Sequence, residues 1–562
     1  MNTPAFSLHK TDGRSLRSGF LRSAATYPDA PGLILGERTI TYRELDQTAR
    51  TWAAAIIDSL GRAARRVGVL AYRSEVSYVG ALAALCSGAG FVPLNPTFPA
   101  LRTREMIRLA ELDAIIVEKR YAPLLEEALA DLPSDTPILI PDGDIGDVIS
   151  TERSVPDSSR IVLDQTRLAD VAPLGVLPPV LESEVAYLLF TSGSTGQPKG
   201  VPVTHANVLH FIDVMVERYG ITAEDRFSQT FDQTFDLSVF DLFVAWERGA
   251  CVCAMQPIEL IAPGRSLRKH GVTIWFSVPS IPMLMLKKNL LKPDSIPTLR
   301  WSLFCGEPLT KTAAEAWQAA APQSTVENLY GPTELTIACF LYRWDPERSP
   351  DECLNDIVPI GQPYPGLGAL VLNEERQPVS RNEPGELYVC GPQTVPGYWR
   401  DPAKTAERFF ELPVESAAAS SSLRFYATGD RVQQLASGDY AYLGRVDHQV
   451  KVLGHRVELG EIEAVLRRMP GVIEAVACAW PIADGIAQGI AAFVTGDNLN
   501  PDELKASSRK LLPDYMSPRT VHHLAQMPLN VNGKVDRNTL LARLVSLHQQ
   551  DDASSRDKTT NR

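Results

Sequence analysis

The sequence predicts an α/β protein with a large N-terminal domain, built on parallel or mixed sheets flanked by helices, and a small mobile α+β C-terminal domain. Most of the chain alternates apolar, strand-like runs with segments of helical period, which is typical of parallel sheets covered by helices. Near residue 447 the composition becomes charged and glycine-rich, and a shorter pattern of helix, two strands and helix follows. These observations place a domain boundary at about that residue.

The predicted large domain covers residues 1–446 and the predicted small domain covers residues 447–548. Residues 549–562 are polar and poor in apolar side chains, so we expect a disordered tail. Residues 414–424 ("VESAAASSSLR") are mostly small, and this composition predicts a loop. In the small domain, "NPDELKASSRKLL" predicts a helix that begins after Asn500, with Pro501 at its first position.

Charge and composition argue against several classes of protein. The 562 residues carry a net charge of −12 without a sustained basic run, which argues against binding to nucleic acid. The most apolar stretch, residues 272–288, contains two serines and two prolines, so we expect a core segment and no membrane association. The N-terminus lacks a signal-peptide pattern and the eight cysteines are scattered, which favours a cytoplasmic protein with reduced, buried thiols.

A loop rich in glycine and hydroxyl groups, "TSGSTGQPKG" (191–200), follows the apolar run at residues 185–190. Glycines let a backbone approach phosphate closely, while hydroxyls and Lys199 supply donors and positive charge. The loop does not fit the G-x-x-x-x-G-K-[ST] pattern, because Pro198 stands where the second glycine is required. By itself it is either a phosphate-binding loop of another kind or a flexible turn.

Further motifs occur in a fixed order around this loop. "TYREL" (41–45) and "GFVPLNPTFP" (90–99) precede it, and four motifs follow it: "YGPTELT" (330–336), "YATGDRV" (426–432), "GRVDHQVKVLGHRVELGEIE" (444–463) and "PLNVNGKVDR" (528–537). From about Thr39 to Leu540 the chain resembles amino-acid adenylation enzymes of the nonribosomal peptide synthetase type. These belong to the acyl-adenylate-forming superfamily, which includes acyl-CoA ligases and luciferases.

The resemblance implies a reaction in two halves. A carboxylate attacks the α-phosphate of ATP to give an acyl-adenylate and pyrophosphate, and a thiol then takes the acyl group. The implied cofactors are ATP and Mg²⁺. The residues that the resemblance assigns to the nucleotide are Thr191, Ser192, Gly193, Ser194, Thr195, Gly196, Lys199, Tyr330, Gly331, Thr333, Asp430, Arg445 and Lys534.

Each of these positions has an implied role. The loop closes over the β- and γ-phosphates, Tyr330 offers a ring face to adenine, and Asp430 accepts hydrogen bonds from the ribose hydroxyls with help from Arg445. The catalytic set is Thr333, which donates to the α-phosphate, Glu334, which is the metal ligand, and Lys534.

Lys534 is expected to bridge the substrate carboxylate and the α-phosphate. Asp447 is the expected hinge of the small domain between the two half-reactions. The chain departs from the family at Ala427 and Leu453, where basic residues are common.

The segment "FDQTFDLSVFDLF" (231–243) indicates the substrate class. Asp236 matches the family position that pairs with the α-ammonium of an amino acid, although Asp232 and Asp241 lie in the same segment and leave another register open. The matched wall of the side-chain pocket consists of Leu237, Phe240, Ser277, Leu303, Cys305, Leu329, Ile337 and Ala338.

No charge lies among these wall residues, so the resemblance implies a neutral, small or medium, mainly apolar α-amino acid. Cysteine, proline and alanine-like substrates stay open. No carrier motif follows Leu540, so we expect a free-standing enzyme that loads the phosphopantetheine of a separate carrier protein. The alternatives are a carboxylate–CoA ligase of the same superfamily and a non-catalytic nucleotide-binding descendant.

Overall fold

The computed structural model describes residues 13–129, 136–144, 161–193, 197–415, 420–447, 449–452, 454–483, 486–529 and 535–560. Five of the expected positions lie outside these ranges: Ser194, Thr195, Gly196, Leu453 and Lys534. Their assignments stay predictions.

The helices are α1 (Ser18–Thr26), α2 (Tyr42–Leu60), α3 (Glu75–Cys86), α4 (Ala100–Ala110), α5 (Ala122–Leu129), α6 (Gln165–Ala169), α7 (His205–Tyr219), α8 (Leu237–Val239), α9 (Ala245–Glu247), α10 (Pro257–Ile261), α11 (Gly264–His270), α12 (Ser280–Lys287), α13 (Lys311–Ala320), α14 (Ser349–Glu352), α15 (Pro402–Arg408), α16 (Leu459–Arg467), α17 (Pro501–Ser508) and α18 (Arg537–Thr560). Short 3₁₀ helices cover Lys119–Tyr121 and Thr333–Leu335, and a π-helical segment covers Phe240–Val244.

The strands are β1 (Pro31–Leu35), β2 (Arg38–Thr41), β3 (Arg66–Leu70), β4 (Gly90–Leu94), β5 (Ala114–Val117), β6 (Ile138–Ile140), β7 (Val162–Asp164), β8 (Val185–Thr191), β9 (Lys199–Thr204), β10 (Arg226–Gln229), β11 (Cys251–Ala254), β12 (Ile274–Ser277), β13 (Trp301–Phe304), β14 (Thr325–Tyr330), β15 (Phe340–Arg343), β16 (Gln362–Pro363), β17 (Gly368–Leu372), β18 (Pro384–Cys390), β19 (Phe409–Glu415), β20 (Ser420–Gln434), β21 (Tyr440–Arg445), β22 (Gln449–Val452), β23 (His455–Glu458), β24 (Val472–Ala479), β25 (Ile482–Ala483), β26 (Ile486–Ala487), β27 (Ile490–Gly496) and β28 (Thr520–His523).

The chain divides into two compact units. The larger unit consists of Met1–Pro96, Thr103–Phe190 and Lys199–Val446. The smaller unit consists of Thr97–Arg102, Thr191–Pro198 and Asp447–Arg562. The domain roles and the hinge function that the sequence suggests stay proposals.

The larger unit contains the mixed α/β architecture that the sequence predicts. Among the described residues, one sheet has the order β16-β15-β14-β13-β12-β10-β11-β1-β2, and its six central strands are parallel. A second sheet has the order β7-β6-β5-β3-β4-β8-β9, and a third, antiparallel sheet is formed by β17 to β21. Strands β3, β4, β5 and β11 are buried along their whole length, which explains their continuous apolar runs.

Local signals fix where the helices of this unit begin and end. Helix α2 begins with a reciprocal capping box between Thr41 and Glu44 and ends at Gly61, which has a φ of 65°. Helix α7 begins at a capping box on Thr204 and ends at Gly220, with a φ of 54°. Strand β8 occupies the apolar run at residues 185–190, and β9 leads directly into this capped helix.

The predicted loop at residues 414–424 is largely wrong. Strands β19 and β20 continue into this segment and pair from Phe409↔Tyr426 to Glu415↔Ser420. Ladder hydrogen bonds use only backbone groups, so small side chains do not prevent strand pairing when a neighbouring strand fixes the register.

The smaller unit contains two small sheets, with orders β23-β22-β26-β25 and β24-β27-β28, and helices α16, α17 and α18. Asn500 caps α17 through its side chain and Pro501 occupies the first turn, as predicted. Helix α18 packs Leu540 and Leu544 in the core of this unit, and its backbone continues to Thr560. It thus covers most of the segment for which a disordered tail is expected, and the extent of that tail stays a prediction.

Candidate active site

The carboxyl ends of the parallel strands in the nine-stranded sheet position the candidate site. Strands β10, β12, β13 and β14 end at Gln229, Ser277, Phe304 and Tyr330. Because parallel strands end at the same edge of a sheet, the segments that follow them converge there. These strands and the segments after them carry the residues that the sequence assigns to the substrate, together with Tyr330, Gly331 and Thr333 of those assigned to the nucleotide.

Asp236 lies immediately before the short helix α8 and is 7% exposed. Burial, with a smaller contribution from the negative charge of Glu334, raises the pKa of its carboxyl to about 6. Hydrogen bonds from the Thr333 hydroxyl and from the backbone amides of Leu237 and Ile337 act in the opposite direction. Its Oδ2 atom is buried and makes no hydrogen bond with the described residues. A carboxylate in this state is suited to receive a cationic donor from a ligand.

The two neighbouring aspartates face other groups. Asp241 Oδ2 accepts a hydrogen bond from the Thr230 amide (3.1 Å), and Asp232 Oδ1 accepts from the Thr234 amide (2.8 Å). Only Asp236 is hydrogen-bonded to Thr333 and Ile337, which belong to the turn after β14. Asp236 is therefore the aspartate joined to the turn that carries Ile337 and Ala338, while its substrate role stays a prediction.

All expected wall residues of the amino-acid pocket are buried. Seven of them lie in one apolar cluster: Leu237, Phe240, Leu303, Cys305, Leu329, Ile337 and Ala338. Ser277 lies at the end of β12, but its hydroxyl is engaged elsewhere, since it accepts from the Trp275 indole (3.0 Å) and donates to the Val278 carbonyl (3.1 Å). The wall is uncharged, as the sequence predicts, and its one hydroxyl is already hydrogen-bonded.

The turn after β14 has an unusual backbone. Thr336 and Ile337 have φ values of 59° and 73°, in the left-handed region that β-branched residues rarely adopt. Gln393 holds this turn by donating from Nε2 to the carbonyls of Leu335 (3.1 Å), Thr336 (3.2 Å) and Ala338 (2.7 Å). The constraint fixes the backbone of Ile337 and Ala338, two residues that we expect in the pocket wall.

Gly331 is required at the start of this turn. A Cβ atom at this position would lie 2.5 Å from the Cα atom of Ala338, which is backbone and cannot move aside. The glycine thus permits the close approach of the end of β14 to the pocket wall.

Lys199, Glu334 and Tyr398 form a buried charged cluster. Lys199 Nζ lies 3.1 Å from Glu334 Oε1 and 3.3 Å from Tyr398 Oη, and it lies 4.3 Å from the centre of the Tyr398 ring. Tyr398 Oη donates to the same Glu334 oxygen at 2.8 Å. Lys199 is thus a buried, paired cation and not a solvated surface lysine.

A second polar cluster links three of the residues that the sequence assigns to the nucleotide. Tyr330 Oη donates to Asp430 Oδ2 (2.5 Å), and Arg445 Nη1 donates to Asp430 Oδ1 (2.7 Å). Asp430 and Arg445 are direct neighbours across strands β20 and β21. The structure therefore brings together Tyr330, Asp430 and Arg445, although they lie in three separate motifs.

The glycine-rich loop at residues 191–200 is divided between the two units: residues 191–198 belong to the smaller unit, whereas Lys199 and Gly200 belong to the larger one. Ser192 Oγ donates to the Arg456 carbonyl (2.7 Å) and accepts from the Glu458 amide (3.1 Å). The Gly193 amide donates to Glu461 Oε2 (3.0 Å), and Arg102 pairs with the other oxygen of this carboxylate (2.6 Å). A backbone amide that donates to a carboxylate has the polarity required to bind an anion.

Two further positions of this unit were expected to have roles. Thr191 Oγ1 is buried without a hydrogen bond to the described residues. Asp447 Oδ1 accepts from the Gln449 amide (3.2 Å) at the entry to β22, which is compatible with a turn residue and leaves its hinge role a proposal.

The donor set fits a magnesium ion bound together with phosphate. Mg²⁺ is commonly held by one or two carboxylates and by substrate phosphates, and not by a cage of protein ligands. Glu334 supplies one fully buried carboxylate, and no group of three or more His, Cys, Asp or Glu side chains suited to a metal occurs in the described ranges. Glu334 is therefore the described residue that we expect to hold the ion.

Sequence reasoning missed Tyr398 and Gln393. Both lie in "GPQTVPGYW" (391–399), after a strand of the antiparallel sheet and far along the chain from the residues they contact. The available signal was the dense spacing of glycine and proline around two polar residues, which predicts a fixed loop without indicating what the loop contacts.

Comparison with known proteins identifies the family. The model of the AMP-binding enzyme family matches residues 20–399, and that of the AMP-binding enzyme C-terminal domain matches residues 461–534. The chain belongs to the AMP-binding enzyme family, and its relatives make it a ligase of the adenylation type. The α/β fold predicted from the sequence is confirmed by the structures of adenylation domains.

Two curated relatives illustrate the similarity. The L-proline--[L-prolyl-carrier protein] ligase of Streptomyces coelicolor is 33% identical over 92% of this chain and 94% of its own length. The probable non-canonical nonribosomal peptide synthetase CymA of Salinispora arenicola is 34% identical over 93% of this chain, which spans only 6% of CymA.

Solved structures agree with this assignment. The Vibrio cholerae adenylation domain AlmE, in complex with glycyl-adenosine-5'-phosphate, superposes with a TM-score of 0.83 at 30% identity, covering 97% of this chain and all of that one. IdnL7 superposes with a TM-score of 0.69 at 38% identity, covering 95% of this chain and 99% of that one. Across the part of the chain that the structure describes, no helix is both long and apolar enough to cross a membrane.

Proposed function

We propose that this chain uses ATP and Mg²⁺ to activate a neutral, small-to-medium, mainly apolar α-amino acid as its aminoacyl-adenylate and then loads it onto the phosphopantetheine thiol of a carrier protein. The observation that carries the proposal is the buried carboxylate of Asp236, whose Oδ2 has no hydrogen-bond partner among the described residues. An α-ammonium group is the complementary ligand, because it would pair with this charge and donate hydrogen bonds.

While the α-ammonium group pairs with Asp236, the carboxylate of the bound amino acid must react with the α-phosphate of ATP. One of its oxygens forms a bond to the α-phosphorus, the bond from that phosphorus to the bridging oxygen breaks, and pyrophosphate leaves with the electron pair. In the second half-reaction, the carrier thiolate bonds to the acyl carbon, and AMP leaves with its oxygen. The first step brings an anion to a polyanion, so it requires positive charge and hydrogen-bond donors at the phosphates.

The described residues supply several of these groups. Thr333 donates to Asp236 and begins the short helix shortly after β14, which supports its proposed role as a donor to the α-phosphate beside the amino-acid site. Lys199 supplies a buried positive charge beside Glu334. When it is bound, Mg²⁺ would neutralise charge on the phosphoryl oxygens, with Glu334 as its protein ligand. Lys534, outside the described residues, is proposed as the cation that bridges the carboxylate and the α-phosphate.

The substrate class follows from the polarity of the wall. A charged side chain would be buried without a partner against the apolar wall, and that costs several kcal/mol by rough estimate. The proline ligase and the glycyl-adenylate complex among the relatives support small, uncharged amino acids. Cysteine, proline and alanine-like side chains remain the candidates, and a separate carrier protein stays a prediction.

Amino-acid-dependent exchange of labelled pyrophosphate into ATP tests the proposal. The panel contains the proteinogenic amino acids and, as the control, fatty and aryl carboxylic acids. We expect exchange with one or a few small neutral amino acids and none with acids that lack an α-ammonium group. Exchange with fatty or aryl acids alone would establish the carboxylate–CoA ligase instead, and no exchange with any acid would favour the non-catalytic descendant.

A further inference from the structure

Arg73 is a buried arginine in the turn between β3 and α3, outside every motif discussed above. Its φ is 46°, in the left-handed region that is unfavourable for a side chain of this size. Such a conformation persists only where surrounding contacts enforce it. The contacts of the guanidinium group account for it.

The guanidinium clamps the carboxyl ends of two neighbouring parallel strands of the nine-stranded sheet. Nη1 donates to the carbonyl of Met255 (2.5 Å), just after β11, and to that of Gln229 (3.3 Å), the last residue of β10. Nη2 donates to the carbonyl of Thr230. Because one planar group binds all three carbonyls, it fixes the direction in which the chain leaves β10.

That exit leads directly to Asp236, six residues after Thr230. Thr230 is held from two further sides, since its amide donates to Asp241 Oδ2 (3.1 Å) and its hydroxyl donates to the Phe276 carbonyl (2.6 Å). Tyr78 Oη also donates to the side chain of Gln229 (2.8 Å). The segment that carries Asp236 therefore starts from two buried residues, Gln229 and Thr230, that are held by several hydrogen bonds.

The charge of Arg73 also matters for this segment. It is the cation that lowers the pKa values of Asp232 and Asp241, while burial raises both. Without it, the half-buried carboxyl of Asp232 and the fully buried carboxyl of Asp241 would lose this favourable charge. Both the geometry and the charge of the segment thus depend on one residue.

We propose that Arg73 is a positioning residue for the amino-acid substrate: it clamps the exits of β10 and β11 and so places Asp236 to pair with the α-ammonium group. The inference rests on the proposed function, because it concerns how that same site recognises an amino acid. Its consequence is specific. Loss of Arg73 weakens the binding of the amino acid and relaxes the requirement for its ammonium group, while ATP binding is retained.

The test compares Arg73→Met and Arg73→Lys with the matched control Arg17→Met. Arg17 is also a buried arginine that donates to three backbone carbonyls, those of Leu85, Cys86 and Pro178, but none of these belongs to the substrate segment. Pyrophosphate exchange gives KM for the preferred amino acid and KM for ATP. It also gives the discrimination ratio, which is kcat/KM for the amino acid divided by kcat/KM for the acid with the same side chain and no amino group.

We expect Arg73→Met to raise KM for the amino acid at least tenfold, to leave KM for ATP within twofold, and to lower the discrimination ratio at least tenfold. Arg73→Lys restores part of both effects, because an ammonium group keeps the charge without the planar fork. Arg17→Met should leave the discrimination ratio unchanged, since it removes similar structural contacts elsewhere.

Parallel changes in both KM values, or an equal loss of discrimination in Arg17→Met, would overturn the inference. If the Arg73 variants do not fold, Tyr78→Phe replaces them in the test, because it removes one hydrogen bond to Gln229 at the same strand end. An unchanged discrimination ratio in Tyr78→Phe would also overturn the inference. Failure of the proposed function is a separate result, since the wild-type protein would then show no amino-acid-dependent exchange.

Discussion

Replacing Asp236 by asparagine removes the charge of the candidate ammonium partner while keeping the shape of the side chain. Burial raises the pKa of this carboxyl from 3.8 to about 6, so the ionised form is unfavourable in the folded protein without a cationic ligand. The variant is therefore expected to lose amino-acid binding and to gain stability. The two effects are measured separately.

The stability effect has a defined sign and pH dependence. A carboxyl whose pKa is higher in the folded than in the unfolded state costs nothing below pH 3.8, and its cost grows until the pH has risen through 6. The full shift corresponds to about 3 kcal/mol at pH 8 and about half of that at pH 5. Asp236→Asn should therefore raise the free energy of unfolding most at pH 8, and the gain should shrink at pH 5.

The binding effect follows from the loss of a buried charge pair. Truncating one partner of such a pair costs roughly 2–5 kcal/mol, so KM for the amino acid should rise by about 30-fold or more, while KM for ATP changes little. In the wild-type enzyme, KM for the amino acid should rise as the pH falls below about 6, because Asp236 becomes protonated.

Urea unfolding at pH 5 and pH 8 and pyrophosphate exchange measure the two effects. Asp241→Asn is the matched control: its carboxyl is also buried with a raised pKa, and an asparagine oxygen can still accept from the Thr230 amide. This control should gain stability with a much smaller change in KM. A KM within threefold of wild type in Asp236→Asn would refute the ammonium pairing, and a stability gain independent of pH would refute the buried charge.

Two further variants test the remainder of the site. Tyr398→Phe removes a hydrogen bond to the buried carboxylate of Glu334, so KM for MgATP should rise by about tenfold in exchange assays, whereas KM for the amino acid stays near wild type; equal changes in both would contradict a role at the phosphates. Gly331→Ala places a Cβ atom 2.5 Å from the Cα atom of Ala338, so we expect a loss of about 1–3 kcal/mol in unfolding free energy and of most exchange activity. Gly175→Ala, where nothing lies within 4 Å of the added Cβ, is the control, and similar losses in both variants would argue against the close approach.

Much of the fold could be predicted from local signals. Continuous apolar runs predict the buried parallel strands, and capping residues predict the helix ends, such as Thr204 and Gly220 around α7. The segment at residues 414–424 shows the limit of such reasoning. Its small side chains carry no strand signal, and the pairing of β19 with β20 comes from backbone hydrogen bonds with a neighbour.

The candidate site could be predicted as a set of residues but not as an arrangement. The motif order suggests Asp236, Glu334 and Asp430, yet it does not show that Asp236 keeps an unpartnered oxygen or that Asp241 turns toward Thr230. Three aspartates lie within ten residues, and the sequence around each of them does not distinguish their roles. Their roles differ because each faces a different element of the folded chain.

The sequence by itself determined the α/β class, the order of the motifs and the chemical types of the site residues, because these depend on periodicity and on residue identity. Only the tertiary structure decided which of them meet: Lys199 with Glu334, 135 residues apart, and Tyr330 with Asp430, 100 residues apart. It also brought in Tyr398 and Arg73, whose partners Glu334 and Gln229 lie far from them along the chain. The physical reason is that strand order and burial set the distances between such groups, and neither is fixed by the local sequence around any one of them.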